Sequence, residues 1–251
     1  MASRLNGAGV SAGYDAEVGP GRMLGGAVTV GTSRVGFDSG DQGRARTAAL
    51  AMYAGYADGA WRLNGLASLA FHSNHMDRGI AVGPISRVAS SNFSSSTATA
   101  YGEMTYDLDM DGWTLQPMAG LAFSRNQTSG FTEQGAGALN LQVAAQTVSS
   151  TKSLLGLKAG FDVGRLRIEP RLVWAHEFGQ YNTPMTAQLQ GAATPYQFQV
   201  AGVALNANTM ILGVGASGRI HDNLNLFADL QTEQNARQRN LSLLMGLRGK
   251  W

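Results

Sequence analysis

Two short motifs in this sequence have residue types and spacings that could support chemistry. The segment from Gly213 to Gly218 reads G-x-G-x-x-G, with Asp229 further along the chain, which resembles a dinucleotide-binding loop. That chemistry requires the loop to open a helix whose N-terminus binds the pyrophosphate. A short turn and another alternating segment follow instead. We therefore expect these glycines to thin the wall of a strand-built structure and to bind no dinucleotide.

The segment Asp107 to Gly112 reads D-x-D-x-D-G, which is how a calcium-binding loop begins. An EF-hand loop also needs a bidentate Glu at its twelfth position, and Met118 stands there. Asp and Gly together are also typical of tight turns. The sequence therefore predicts a hairpin turn at this point, with adventitious calcium binding as the lesser alternative.

The histidines and serines offer no catalytic or metal-binding pattern. His72 and His75 flank a predicted long loop, but no further His and no Cys is near them in the sequence, and a metal site needs three or four ligands. His176 falls on an apolar strand face, where an amphipathic ring suits a membrane interface. No G-x-S-x-G motif occurs. We expect no enzymatic activity, no metal and no cofactor in this chain.

The composition narrows the class of protein. Only 14% of the 251 residues are charged, against roughly 25% in soluble domains. No segment approaches the roughly 20 consecutive apolar residues that a membrane-spanning helix needs. A net charge of +2 comes with no Lys/Arg cluster, so we expect no nucleic-acid partner. No shift in composition divides the chain, and we expect one all-β domain over residues 1–251.

Alternation of apolar and polar residues runs through the whole chain and predicts antiparallel strands. From Ala8 to Val18 the even positions are apolar or aromatic, whereas the odd positions carry only Gly, Ser, Asp and Glu. We predict eleven such strands, which centre on residues 8–18, 24–33, 50–56, 61–72, 98–108, 113–124, 152–163, 166–177, 210–216, 224–230 and 241–251.

The polar faces and the connections distinguish a membrane barrel from a soluble β-sandwich. The polar face consists mainly of Gly, Ser, Thr and Asn, which suits a narrow wet lumen, and the apolar face suits lipid. Outer-membrane barrels alternate short periplasmic turns with long outer loops. The predicted short turns are Gly19–Arg22, Asp58–Ala60, Asp109–Gly112, Gly164–Arg165 and His221–Asn223. The predicted long connections are Phe37–Arg44, His75–Asn92, Asn126–Ala138 and Phe178–Asn206.

Charged and aromatic residues mark two sets of candidate functional positions in this barrel. Charges on the inward parity must be paired or hydrated in a narrow lumen. They are Arg62, Glu103, Lys158, Glu169, Arg171, Glu177 and Asp229. Aromatic residues beside the short turns suggest a girdle at one membrane interface. They are Tyr56, Trp61, Tyr106, Trp113 and Trp251.

The C-terminal half resembles the β-domain of autotransporters (type Va secretion). The resemblance rests on Phe131–Ala136, on Leu139–Leu141, on Leu155–Leu157 and above all on Arg167–Phe178, which contains Trp-Ala-His-Glu-Phe. The ending Gly246–Trp251 is similar to the signal by which the barrel assembly machinery recognises its clients, although Gly249 stands where an aromatic or aliphatic residue is usual. We assign that signal to Leu243, Met245, Gly246, Leu247 and Trp251.

The resemblance implies a twelve-stranded, monomeric barrel in the outer membrane of a Gram-negative bacterium. In that family a linker helix threads the lumen and a passenger upstream is delivered to the cell surface, so the inward charges would contact the linker. Eleven predicted strands are one fewer than the family has, and bacterial single-chain barrels have an even number. Either the chain begins at the second strand, which we favour, or two strands are merged within residues 139–163 or 192–216. The alternative function is a stand-alone channel or a surface-binding barrel.

Overall fold

The structure is a computed structural model that describes residues 3–179, 184–192, 197–200, 206–236 and 238–249. Nearly all of these residues lie in β-strands. Among them, no helix is long and apolar enough to cross a membrane. The strands form one large antiparallel sheet and a second sheet of four short strands.

The large sheet follows the order of the chain, because each long strand pairs with the next long strand. Its strands are β1 (Ser3–Gly19), β2 (Arg22–Phe37), β3 (Gln42–Asp58), β4 (Trp61–Val82), β5 (Ile85–Tyr106), β6 (Leu108–Met110), β7 (Trp113–Thr128), β10 (Gln146–Val163), β11 (Leu166–Glu177), β14 (Asn208–His221), β15 (Leu224–Gln234) and β16 (Arg239–Gly249). The strands of the second sheet are β8 (Phe131–Thr132), β9 (Leu141–Val143), β12 (Met185–Leu189) and β13 (Gln197–Val200). β6 is a short extra strand that pairs only with β7. The prediction of eleven long strands in one antiparallel sheet is therefore confirmed.

The registers place the apolar residues of neighbouring strands on one face of the large sheet. Val28 lies opposite Leu50, and Leu50 lies opposite Leu69, so the apolar set runs straight across three strands. These side chains are 52%, 59% and 54% exposed, far more than core residues. We call this the outer face and the opposite one the inner face. Large exposed apolar side chains in continuous rows are what a lipid-facing wall requires.

The large sheet curls until its two edges meet. Strands lie about 4.8 Å apart, so ten spacings would separate the edges of a flat sheet by about 48 Å. Yet Arg248 on β16 lies 2.5 Å from Asp15 on β1. No described residue of β1 pairs through its backbone with β16, so the wall has a seam there. The result is a curled barrel wall that side chains bridge at the seam.

The connections differ between the two ends of the wall. At one end the turns are short, and Gly59 and Gly164 adopt φ values of +56° and +64°, a left-handed conformation that favours glycine. At the other end, one predicted loop is mostly strand and a second is partly strand. Residues 75–92 form a hairpin in which β4 and β5 pair as far as Val82 and Ile85, and β7 runs on to Thr128. This part of the loop prediction was wrong because the paired backbones continue where apolar alternation has ended.

The second sheet covers the inner face of the β4–β5 hairpin, and we call it the cap. The register of the hairpin shows no shift, so Ala89 and Ser91 keep the inner-face parity of Glu103. Both are buried, at 1% and 4% exposed, as are Ala136 and Ala187 of the cap. Ser90 joins β5 to the cap through a backbone bridge with Gln134. The contact between the cap and the hairpin includes the two most tightly buried residues of the described chain, Ala136 and Ala187, together with Ala89, whereas most large apolar side chains of the wall are exposed.

Candidate functional site: the inner face of the wall

The inner face carries ionised side chains that pair with one another across strands. All seven predicted inward charges lie in wall strands, and each has a polar partner in the structure. Their assignment as contacts for a translocated chain remains a prediction.

Glu103 is the centre of a polar group that is largely withdrawn from water on the inner face of the wall. Its carboxylate accepts from Lys158 Nζ at 2.7 and 2.9 Å, from the Tyr101 hydroxyl at 2.6 Å and from Asn64 Nδ2 at 3.1 Å. The side chains of Glu103 and Lys158 are only 9% and 24% exposed. Four donor bonds satisfy both carboxylate oxygens, which is what a charge requires when it is withdrawn from water. The group ties β4, β5 and β10 together across the intervening β7.

Arg171 and Asp229 form a bidentate pair across β14. Arg171 Nη1 and Nη2 lie 2.6 and 2.7 Å from the two oxygens of Asp229, and Nη2 also donates to Gln231. Gly213 lies between them on β14, and a Cβ at this position would come within 2.6 Å of the Arg171 guanidinium. The glycine therefore thins the wall as predicted, since only a residue without a side chain leaves room for the arginine.

Arg62 and Glu169 have partners closer to the short-turn end. Arg62 lies 2.5 Å from Asp107, whose other oxygen accepts from Gln116 at 2.7 Å. Arg167 lies 3.1 Å from both Glu169 and Asp162. The side chains of Arg167, Glu169 and Asp162 are 34%, 45% and 70% exposed. Because water screens their charges, these ion pairs stabilise the fold less than the pair of Glu103 and Lys158 does.

Glu177, the last inward charge on β11, is 3% exposed and is bound mainly by backbone and hydroxyl groups. Its carboxylate accepts from the Ser150 hydroxyl, from Thr151 N at 2.9 Å and from Gly179 N at 2.8 Å. It therefore fastens the start of a long connection to β10, near the end of the wall that carries the cap.

Sequence reasoning missed two of the charged contacts of the fold. The first is Asp15, which accepts from Arg248 and from the Tyr53 hydroxyl at 3.2 Å and so bridges the seam. Asp15 could have been predicted to face inward, because it occupies an odd position of β1, where the polar residues lie. The second is the cap pair of Arg78 and Glu133, which lie 2.6 Å apart. No signal was available for it, because both residues were predicted to lie in loops.

The aromatic residues near the short turns lie on the outer face. Trp61 meets Tyr106 edge-on with ring centroids 4.8 Å apart, Trp113 stacks on Phe161 at 5.7 Å, and Arg22 lies over the Tyr56 ring. Trp251 lies outside the described residues. Of the proposed assembly signal, Leu243, Met245 and Leu247 are each more than 60% exposed on β16 and Gly246 is partly covered. The roles of the girdle and the signal remain predictions.

The two glycine- and aspartate-containing motifs and the histidines are parts of the wall. Gly213–Gly218 lies inside β14, so it opens no helix. Asp107–Gly112 forms the turn into β7, with Gly112 at φ +84°, and Asp107 is engaged by Arg62. His72 bridges the hydroxyls of Thr47 and Thr97 on the inner face. His176 contacts the tilted ring of Trp174 and meets Phe178 edge-on on the outer face near the cap end, as its parity predicts.

Together these contacts make a polar interior in which most cations have an acidic partner. The geometry offers hydrogen-bond donors and acceptors to a chain that passes through or rests in the interior. A hydrated lining of this kind can accommodate a polypeptide without binding it covalently.

Both the sequence and the fold are similar to those of known proteins. The family model "Autotransporter beta-domain" matches residues 2–231. An extracellular serine protease of Serratia marcescens is 26% identical over 245 residues, which cover 95% of this chain but only 23% of the relative. The translocator domain of the autotransporter NalP from Neisseria meningitidis superposes with a TM-score of 0.81 at 15% identity, covering 99% of this chain and 81% of that one. The β-domain of the Bordetella autotransporter BrkA gives 0.73 at 20% identity, with coverages of 100% and 92%.

Proposed function

The chain belongs to the autotransporter β-domain family of Gram-negative outer-membrane barrels, and we propose that it holds a linker segment of its own precursor inside the barrel. Membership implies a passenger linked to this domain. The chain spans about a quarter of the protease it matches, so a secreted protease is one candidate for the passenger. Any enzymatic activity would then belong to the passenger and not to the barrel.

The observation that carries this proposal is the ring of side-chain contacts around the inner face. From Asp15 at the seam through Glu103 and Arg171 to Arg248, charged groups lie on successive parts of the curled wall. A helix in the lumen would meet donors and acceptors on every side. The apolar outer face would meet lipid, and the exposed end of β16 would meet the barrel assembly machinery. We propose that the barrel acts as a monomer.

Conductance tests the occupied lumen. The barrel is reconstituted in planar bilayers as the present chain and as a longer protein that includes the upstream linker of the same precursor. We expect the longer protein to conduct less, because the linker displaces water and ions from the lumen. Equal conductance of the two proteins would contradict the proposal.

A variant of the barrel for this test changes side chains of the inner face and leaves the linker unchanged. Glu103→Gln with Lys158→Met removes one positive and one negative charge from the inner face, so the net charge stays the same. We expect it to weaken the retention of the linker, seen as more frequent open events in the longer protein. The outer-face variant Leu155→Ala should leave those events unchanged.

A second candidate function is surface binding by a stand-alone barrel, and the cap is the observation that favours it. An ordered sheet at the long-connection end, fastened by Arg78 and Glu133, could present a recognition surface. The native reading frame separates the two functions. A signal peptide encoded directly before Arg4 would contradict the translocator proposal and leave the surface-binding barrel.

A further inference from the structure

Three arginines on the outer face form a group that the proposed function does not use. Arg34 lies on β2, and Arg44 and Arg46 lie on β3, all at the long-connection end of the wall. We call them the arginine patch. We propose that the arginine patch binds the phosphate groups of the phosphorylated glycolipid in the outer leaflet of the outer membrane.

The register of β2 and β3 places these like charges next to one another, which is unfavourable without a counter-charge. Arg34 lies directly opposite Arg44, and Arg46 lies two residues further along the same face of β3. Directly opposed residues have Cβ atoms roughly 5 Å apart, and like charges in such pairs are destabilising. All three side chains are exposed. The patch therefore has repulsion that a bound anion would relieve.

The nearby carboxylates offset the charge of the patch only in part, although Asp77 lies close enough to Arg44 to interact with it electrostatically. Among the residues that the structure describes, no ion pair includes any of the three arginines. Asp77 accepts from the Ser90 hydroxyl and lies 3.3 Å from His75. Asp41 accepts from Gly79 N and from the Ser39 hydroxyl. Asp77 and Asp41 share a hollow with Arg34 and Arg44 but are bonded to other groups, and Arg4 and His75 add further basic groups to it.

The height of the patch on the wall matches a lipid headgroup. Arg22 and Arg34 lie on the same face of β2, twelve residues apart, which is about 40 Å along a strand. With the usual tilt of about 40°, this is about 31 Å along the membrane normal, a few Å more than the apolar band of about 25 Å on outer-membrane barrels, so both ends reach the headgroup level. Between them the outer face carries Leu24, Val28 and Val30. Arg22 beside Tyr56 therefore lies at one interface, and the patch lies at the other.

A cleft beside the patch offers room for a lipid. It has a volume of about 800 Å³, and its lining includes Arg46, Ser73, Ser94 and Phe71 of the outer face together with Thr47, His72 and Ser95 of inner-face parity. Phe71 is 59% exposed on the apolar band. The cation and the hydroxyls lie above the exposed aromatic ring. A phosphorylated lipid needs this arrangement, because its headgroup lies above its acyl chains. Guanidinium groups bind phosphate through two parallel hydrogen bonds, which gives the site its geometry.

The inference rests on the outer-membrane placement of the barrel and is independent of translocation. The experiment uses the folded full chain in neutral detergent micelles. The probe is diphosphorylated lipid A, compared with the same lipid after removal of its phosphates and with inorganic phosphate. Binding is measured by retention of the lipid on the purified protein in native mass spectrometry and by titration.

The test variant is Arg34→Ala with Arg44→Ala. We expect a loss of affinity for diphosphorylated lipid A of about a hundredfold, about tenfold for each charge-assisted contact. The matched control is Arg22→Ala with Arg165→Ala, which removes two positive charges at the short-turn end and should bind as the parent does. Arg34→Lys with Arg44→Lys keeps the charges but loses the paired bonds, and it should show an intermediate loss.

Heat-dependent migration in gel electrophoresis shows whether each variant is folded, and the lysine variant decides the question if the alanine variant is not. Unchanged affinity of the folded test variant would overturn the inference. So would an equal loss in the control, since binding would then follow net charge alone. Inorganic phosphate that displaces the lipid at comparable concentration would show a free-anion site instead of a lipid site.

Discussion

Two bidentate arginine–carboxylate pairs occupy different regions of this molecule and serve different parts of the fold. In the wall, Arg171 and Asp229 are 20% and 31% exposed and bond to side chains only. In the cap, Glu133 is 7% exposed, and its pair also binds backbone, since Arg78 donates to Leu139 O at 3.0 Å and Glu133 accepts from Leu141 N at 2.8 Å.

The difference shows that the contribution of an arginine–carboxylate pair to stability depends on the backbone hydrogen bonding around it. β11, β14 and β15 already have their register from continuous ladders of backbone bonds. The wall pair therefore adds to a structure that would form without it. The cap segments have only two to five residues per strand, and the pair of Glu133 and Arg78 binds the backbone N–H of Leu141 and the carbonyl of Leu139. Losing the cap pair should open the cap, while losing the wall pair should lower the stability of the whole barrel modestly.

The largest effect is expected from Glu133→Ala. It leaves Arg78 without its partner in a partly buried site, a loss of about 3 kcal/mol, so local opening of the cap should rise about a hundredfold. The measurement is the rate of chymotrypsin cleavage near Phe131 and Leu139 in the folded barrel. Glu169→Ala, which removes an exposed carboxylate, is the control and should cleave at the parent rate. Cleavage of Glu133→Ala at the parent rate would mean that the cap is held by its apolar contacts alone.

A smaller effect, on the stability of the whole barrel and not on local opening of the cap, is expected from Arg171→Met. The lumen is wet, so the unpaired Asp229 can be hydrated, and the free energy of unfolding should fall by about 1 to 2 kcal/mol. The measurement is the urea midpoint in detergent micelles, with the cleavage of the cap unchanged. Adding Asp229→Leu should recover part of the loss. If Arg171→Met accelerated cap cleavage as much as Glu133→Ala does, the two regions would not be independent.

The smallest effect is expected from Gly213→Ala. The new methyl group would displace the Arg171 guanidinium, at a cost of about 1 kcal/mol or less because a flexible side chain can move away. In the Arg171→Met background the same substitution should be neutral. Gly36→Ala on β2, where an added Cβ meets nothing within 4 Å, is the matched control. A cost in the Arg171→Met background would show that the wall needs the glycine for another reason.

Much of the wall could be predicted from particular residues. The parity of Val28, Leu50 and Leu69 identifies one lipid-facing side, and the structure places the three in one row. The turns after Asp58 and before Leu166 lie where Gly59 and Gly164 allow them. The hairpin beyond His75 could not be predicted in this way, because Ser-rich strands outside the apolar band carry no alternation of hydrophobic residues. The cap was missed for the same reason, since Ala136 and Ala187 are too small to mark a buried core.

The sequence by itself determined which side of each strand faces lipid, because side chains alternate with a period of two and any sheet built from these strands must respect it. Only the tertiary structure decided which charges meet. Glu103 and Lys158 are 55 residues apart, Asp15 and Arg248 are 233 apart, and Arg34 faces Arg44 through the register of one hairpin. Those encounters depend on register and on the curl of the sheet, both of which arise from the whole set of strands and from no single segment.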